Sequence, residues 1–164
     1  MDSTTLKAKA DLIVSGLRDL YKKHYVVGIH VRRGDFLKPS LAKFGYAVAT
    51  SDFFTHATKW FINKYGADNL LFLVTSDDIP WCKNNINFQG AEHLFSLTSE
   101  PKEDFARLIS CDHHIVSVGS FGWWSAWLGN GDVVYYKDFP TPNSNHAKNH
   151  DHFDYYPQNW VGMT

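Results

Sequence analysis

Leu70-Leu71-Phe72-Leu73-Val74-Thr75 is the stretch that decides the fold, because its five consecutive apolar residues leave neither face of a strand polar. A strand of this kind lies in a sheet that is covered on both faces, as parallel sheets with crossover helices are. Strand and helix patterns alternate along the rest of the chain. The sequence therefore predicts an open, doubly wound parallel α/β sheet of the Rossmann-like kind.

The spacing of apolar residues predicts five strands and five helices. Ser51-Asp52 is expected to begin the second helix and Ser99 to cap the fourth. From Phe139 onward, prolines, asparagines and histidines predict an irregular tail. The strands are expected at 25–31, 70–75, 93–97, 114–118 and 133–136, and the helices at 6–21, 51–65, 79–85, 101–109 and 123–128.

Composition predicts one domain over residues 1–164 and narrows its function. The chain is 44% apolar and 16% aromatic, which suffices for one ordinary core. A net charge of -1 argues against non-specific binding of nucleic acid. Apolar stretches stay well below the roughly 20 residues that cross a bilayer, and no targeting segment is recognisable. Cys82 and Cys111 match no zinc or disulfide pattern and are expected to be small buried side chains.

Three polar clusters follow predicted strands directly. They are His30 to Asp35 after the first strand, Ser76-Asp77-Asp78 after the second, and Gly119 to Gly122 after the fourth. The carboxyl ends of parallel strands meet at one edge of the sheet, where ligands bind in the crevice beyond them. We therefore expect the three clusters to form one ligand site.

The first and third clusters have the chemistry of an anion site. Arg32 and Arg33 carry permanent charge and a fork of donors that matches phosphate oxygens, although an ion pair with Asp35 would also explain them. Gly119-Ser120-Phe121-Gly122 opens a predicted helix, whose free N–H groups favour an anion. The alternative for Gly119 to Gly122 is a turn without a binding role. Together the two clusters predict a site for a phosphorylated ligand.

The second cluster offers acceptors for a base. Asp77 or Asp78 can pair with the N–H groups of guanine, while the alternative is that Ser76 or Asp77 merely caps the next helix. A metal site is not expected here, because adjacent carboxylates point to different sides of the backbone. Two arginines and a helix end are expected to neutralise a diphosphate without a metal.

Three further patterns have ordinary explanations. The tripeptide Arg33-Gly34-Asp35 lies at a strand end, which disfavours an adhesion role. Three histidines of the tail suggest a metal cluster but are expected to be solvated. Three tryptophans at helical spacing could stack on a sugar, although we expect at least two of them to belong to the core. These residues are His146, His150 and His152, and Trp123, Trp124 and Trp127.

The motifs taken together resemble those of the galactoside α1,2-fucosyltransferase family. Three motifs occur in the family's order, and two carboxyl-terminal features follow them. These stretches are His30-Val31-Arg32-Arg33-Gly34-Asp35-Phe36; Val74-Thr75-Ser76-Asp77-Asp78 with Trp81-Cys82; Ser117-Val118-Gly119-Ser120-Phe121-Gly122-Trp123-Trp124; Asp132-Val133-Val134-Tyr135-Tyr136; and Tyr156-Pro157-Gln158-Asn159-Trp160.

This resemblance implies the donor-binding, carboxyl-terminal half of a GT-B glycosyltransferase. Such an enzyme transfers L-fucose from GDP-fucose to the 2-hydroxyl of a galactose-terminated glycan, with inversion and without a metal. It is anchored in the Golgi membrane and faces the lumen. We expect the acceptor-binding domain and the anchor to lie outside this sequence, so that a nucleotide-sugar-binding module without transfer activity is the alternative function.

The resemblance also implies residue roles. Arg32 contacts the β-phosphate of the donor, and His30 and Arg33 shape the same turn. The general base is open, because Asp35 lies on the loop of Arg32 and could either accept a proton or only orient that arginine. Guanine is assigned to Asp77 or Asp78 beside Ser76, and the diphosphate and ribose to Gly119, Ser120, Phe121 and Gly122.

Overall fold

A computed structural model describes residues 3–98 and 100–164. In this part of the chain, six parallel strands form one sheet in the order β3-β2-β1-β4-β5-β6. The strands are β1 (Tyr25–Val31), β2 (Leu70–Ser76), β3 (Glu92–Phe95), β4 (His113–Val116), β5 (Val133–Tyr136) and β6 (Val161–Met163).

Seven helices accompany these strands in the described residues, with the first ahead of β1 and the others between strands. They are α1 (Ser3–Tyr21), α2 (Pro39–Phe44), α3 (Ser51–Tyr65), α4 (Ile79–Asn85), α5 (Pro101–Ile109), α6 (Ser120–Gly129) and α7 (His152–Tyr155), with short 3-10 turns at Gly34–Leu37, Ala67–Asn69 and Ala147–Asn149. The predicted parallel α/β class is confirmed.

Both faces of the central strands are covered, as the apolar run in β2 predicts. On one face, Val26 and Leu71 pack with Val14 of α1. On the other, Phe72 packs in a larger cluster that includes Phe53 of α3. The alternation of side chains along a strand sends neighbouring apolar residues to opposite faces, so that a continuous apolar run is needed.

The tail after Phe139 is more regular than predicted. It contains a 3-10 turn, α7 and the edge strand β6, whose residues Val161 to Met163 pair with β5. Three residues are too few for a recognisable alternation, and the pairing strand is distant in sequence. The short helix α2 was missed as well. α3 begins at Ser51, as predicted, and Thr50 caps it with its hydroxyl, which accepts from the Phe53 N–H at 3.1 Å. The predicted cap Ser99 lies outside the described residues.

The expectation for the three tryptophans was wrong. Trp124 and Trp127 are 51% and 53% exposed. Small residues, Ser125 and Ala126 among them, occupy the buried face of α6, which directs the large rings outward. Trp123 is half-buried, and its indole N–H donates to the Tyr155 carbonyl at 2.9 Å.

The three histidines of the tail are also not simply solvated. Each is half-buried and packs against tyrosine rings. The ring of His146 lies 4.6 Å from that of Tyr46, and the ring of His150 lies 4.6 Å from that of Tyr155. His152 Nε2 lies 2.9 Å from the Tyr135 hydroxyl. Aromatic packing thus accounts for these residues within the described part of the chain.

Both cysteines are buried, as predicted, and both are free thiols. Burial raises the pKa of Cys82 to about 11, which keeps its thiol protonated and unreactive at neutral pH. The pKa of Cys111 is raised for the same reason. Among the described helices, none has the length and apolar character required to span a bilayer.

Candidate functional site

The three polar clusters meet at one edge of the sheet, because β1 lies between β2 and β4. Serines fasten the strand ends together there. The Ser76 hydroxyl donates to the Val31 carbonyl at 2.8 Å, and the Ser117 hydroxyl accepts from the Arg32 N–H at 2.9 Å. The backbone that carries both arginines is therefore held on two sides.

A cavity of about 570 Å³ opens at this edge. Its volume is in the range of small-molecule sites. Seven of the predicted site residues line it, namely His30, Arg32, Ser76, Asp77, Gly119, Ser120 and Phe121, together with Phe36, Thr75, Thr98, Pro101, Asp104 and Val118. Four predicted residues are not among the lining residues: Arg33, Asp35, Asp78 and Gly122.

Arg32 is held between two carboxylates. Its guanidinium donates to Asp77 at 2.8 Å and also to Asp35, and it lies over the ring of Phe36. The side chain stays 36% exposed at the cavity wall. Gly34 permits this close packing, because its φ is +20° and a Cβ there would collide with the Asp77 carboxylate. Asp35 thus orients Arg32 in this structure.

Arg33 points away from the cavity. Its guanidinium lies 3.8 Å from the ring centre of Trp81 and pairs with Asp78 at 3.3 Å, and only 13% of the side chain is exposed. Its backbone N–H donates to Asp77 at 2.9 Å. Asp78 also caps α4 by accepting from the Trp81 N–H. Arg33 and Asp78 therefore join β1 to α4.

These pairs alter the expected charge balance. Two guanidinium groups lie among three carboxylates, those of Asp35, Asp77 and Asp78, so that this cluster has a formal charge of 2 − 3 = −1. The two arginines therefore give this loop no surplus of positive charge, contrary to expectation. A phosphate must compete with carboxylates for Arg32, while the N–H groups at the start of α6 remain as a neutral source of positive potential.

The opposite wall is neutral and tightly packed. The ring of Phe121 stacks on His30 with 5.0 Å between ring centres. Gly122 makes room for this histidine, since a Cβ at that position would lie 2.5 Å from His30 Nδ1. Burial, followed by the charge of Arg32, lowers the pKa of His30 to about 4. The imidazole is therefore neutral at physiological pH, and its buried Nδ1 lacks a hydrogen-bond partner among the described residues.

Sequence reasoning missed the third wall of the cavity. Thr98, Pro101 and Asp104 come from the end of the β3 region and the first turn of α5. The strand pattern contained a usable signal, because the segment after β3 must reach the same edge as those after β1 and β2. Asp104 is partly buried, and desolvation raises its pKa.

Comparison with known proteins agrees with this geometry. Residues 6–164 match the family model described as Glycosyl transferase family 11. Proteins named galactoside alpha-(1,2)-fucosyltransferase 1 from Sus scrofa and Saimiri boliviensis boliviensis are 34% and 36% identical over 140 residues, which is 84% of this chain. The chain spans 38% of the length of these relatives. No solved structure matches significantly. The chain therefore belongs to glycosyl transferase family 11.

Proposed function

We propose that the cavity binds GDP-fucose and that this chain is the donor-binding part of a galactoside α1,2-fucosyltransferase. The observation that carries the proposal is the cavity at the carboxyl edge, lined by Arg32 and by the first residues of α6. Membership of the family and the names of the relatives support the choice of reaction. The acceptor in this proposal is a galactose-terminated glycan.

The diphosphate is assigned to the space between Arg32 and Ser120. Both residues line the cavity, and Ser120 is the first residue of α6. A helix start offers unpaired N–H groups that favour an anion, and a guanidinium offers a fork of charged donors. The carboxylates of Asp35 and Asp77 hold that fork in place before the donor arrives.

Transfer in this proposal proceeds with inversion at the fucose carbon. The bond from that carbon to the β-phosphate oxygen breaks, and the 2-hydroxyl oxygen of galactose forms the new bond on the opposite face. Negative charge grows on the departing GDP, so that contacts from Arg32 and from the start of α6 strengthen in the transition state and lower the barrier. The hydroxyl proton passes to a base or to solvent.

The proposal includes no metal. The adjacent carboxylates of Asp77 and Asp78 are both engaged, since Asp77 accepts from Arg32 and from the Arg33 N–H, and Asp78 accepts from Arg33 and from the Trp81 N–H. These carboxylates would have to release their present donors before they could bind a cation. A Golgi location, on the lumenal side and with a membrane anchor elsewhere in the protein, completes the proposal by analogy with the family.

Two measurements test the function. Isothermal titration in the presence of EDTA should show GDP and GDP-fucose binding with similar affinity, and both well above ADP. A transfer assay with radiolabelled GDP-fucose and a galactoside acceptor should yield an α1,2-linked product. Binding without transfer would favour a module that only binds the donor, and the absence of binding would refute the proposal.

A further inference from the structure

The two carboxylates expected to bind guanine are already engaged. Asp77 accepts from the Arg32 guanidinium and from the Arg33 N–H, both within 2.9 Å. Asp78 does not line the cavity, and it accepts from Arg33 and from the first turn of α4. A base that took either carboxylate would release an arginine from its partner. The loop that positions Arg32 would then lose one of its supports.

Asp104 is a carboxylate of the cavity wall with a different environment. One of its oxygens accepts from the Ser96 hydroxyl at 2.5 Å, and that hydroxyl in turn accepts from Arg107 at 2.8 Å. Arg107 lies 3.9 Å from the Asp104 carboxylate, and Asp104 is only 16% exposed. Its second oxygen has no hydrogen-bond donor among the residues that the structure describes.

This arrangement suits the edge of a guanine. The Ser96 hydroxyl, which itself accepts from Arg107, fixes the orientation of the carboxylate. Burial raises the pKa of Asp104, whereas Ser96 and Arg107 act in the opposite direction and favour the ionised form. An ionised carboxylate only accepts hydrogen bonds, and guanine presents two adjacent donors, N1–H and the 2-amino group. Adenine presents an acceptor at N1 in place of a donor.

The surroundings of Asp104 also suit a planar ring. The neighbouring Phe105 makes an edge contact with Phe121, whose ring lines the cavity and stacks on His30. Asp104 is in this way tied to the aromatic wall next to Ser120, where the diphosphate is assigned. One nucleotide can therefore contact Phe121, Ser120 and Asp104 along a continuous surface.

We propose that Asp104, rather than Asp77 or Asp78, selects guanine in the donor, a specificity role that rests on the proposed function. The Asp104 carboxylate accepts from both N1–H and the 2-amino group. Inosine diphosphate lacks the 2-amino group, and xanthosine diphosphate has a carbonyl in its place. Neither analogue has the 2-amino donor, so the buried carboxylate would lose one hydrogen bond in the complex. Since an unpaired buried charge costs much binding free energy, each analogue should bind about 10- to 100-fold more weakly than GDP.

The sharpest test is a change of preference in Asp104→Asn. An amide donates with its nitrogen and accepts with its oxygen, which matches the carbonyl and N1–H of xanthine. We expect this variant to lose GDP affinity by about 10- to 100-fold and to bind xanthosine diphosphate more tightly than wild type does. A purely structural role for Asp104 would not create affinity for a new base.

The experiment titrates GDP, inosine, xanthosine and adenosine diphosphates into wild type, Asp104→Asn, Asp77→Asn and the exposed-carboxylate control Asp154→Asn, with thermal unfolding to verify folding. Asp77→Asn should weaken all diphosphates together, and the control should leave all affinities unchanged. A GDP preference that persists in Asp104→Asn refutes the proposal, as does a change of preference in Asp77→Asn.

The wild-type series stands alone if Asp104→Asn does not fold. Equal affinities for GDP and inosine diphosphate would then refute a carboxylate contact to the 2-amino group. A protein that binds no diphosphate would refute both this inference and the proposed function. GDP selectivity that is independent of Asp104 would refute the inference alone.

Discussion

Two walls of the same cavity differ in charge: one contains several paired charges, and the other contains none. The arginine loop, Arg32 to Asp35 with Asp77 and Asp78, contains five charges that neutralise one another almost completely. The aromatic wall, His30 with Gly119 to Gly122, contains no charge at physiological pH, and the buried His30 Nδ1 has no hydrogen-bond partner among the described residues. Charge in a sequence motif is thus distinct from charge available to a ligand. The loop positions one guanidinium, and the neutral wall supplies backbone donors and shape.

The largest expected effect distinguishes the two arginines of the loop. Arg32→Ala should lower kcat/KM for GDP-fucose roughly 100- to several thousand-fold, because a close charge partner of the leaving group is lost. This factor corresponds to a loss of about 3–5 kcal/mol in transition-state stabilisation. Steady-state transfer kinetics measure this change.

Arg33→Ala is the matched control for that experiment. Arg33 lies over Trp81 and pairs with Asp78 away from the cavity, so that its loss should lower the free energy of unfolding. The transfer rate per folded molecule should fall less than about 10-fold. Equal catalytic losses in the two variants would show that the loop acts as one unit and would remove the distinction between its arginines.

The aromatic wall should make the free energy of unfolding decrease at acidic pH. The pKa of His30 is lowered by burial to about 4, against 6.5 for an exposed histidine. The unfolded chain therefore binds a proton first as pH falls, and stability is lost from about pH 6.5 downward. By linkage, this residue alone should remove about 2–3 kcal/mol between pH 7.5 and 4.5.

Urea unfolding at several pH values measures the loss, and His30→Gln should make the pH dependence shallower. His114 contributes in the same direction, because burial also lowers its pKa to about 4, so that part of the slope should remain in the variant. An unchanged slope in His30→Gln would mean that His30 titrates normally, contrary to its buried setting.

Local sequence patterns predicted the fold because its central strands can be recognised from their own sequences. The apolar runs of β1 and β2 need no partner to be recognised, and their order with the helices determines the parallel class. The edge strand β6 has three residues and depends on β5 for its identity. The outward tryptophans of α6 were misjudged because hydrophobicity alone does not reveal that Ser125 and Ala126 fill the buried face.

The candidate site was predicted in part for a related reason. Topology brings His30, Ser76 and Ser120 to one edge, and the position of each at or beyond the end of a strand is visible in the sequence. The pair of Arg32 with Asp35 is local and could be considered from the sequence, but the pairs with Asp77 and Asp78 join residues 45 positions apart and could not. Asp104 was missed because it sits inside a helix rather than directly after a strand.

A single added methyl group should disrupt the packing of the aromatic wall. Gly122→Ala would place a Cβ 2.5 Å from His30 Nδ1. Overpacking of this kind should cost about 1–3 kcal/mol of unfolding free energy, measured by chemical denaturation. Gly16→Ala in α1 is the control, because nothing lies within 4 Å of its added Cβ. The control should be stabilised by about 0.5–1 kcal/mol. An unchanged unfolding free energy in Gly122→Ala would show that His30 and Phe121 can shift at little cost.

The smallest expected effect concerns Asp35, the remaining candidate for the general base. Its carboxylate pairs with Arg32 and does not line the cavity, so that we expect Asp35→Asn to reduce kcat/KM less than about 10-fold. The pH profile of kcat should keep its shape, because an orienting residue need not exchange a proton with the acceptor. Loss of the acidic limb in the variant, with a much larger fall in kcat, would instead identify Asp35 as the base. The arginine loop would then take part in proton transfer as well as in positioning Arg32.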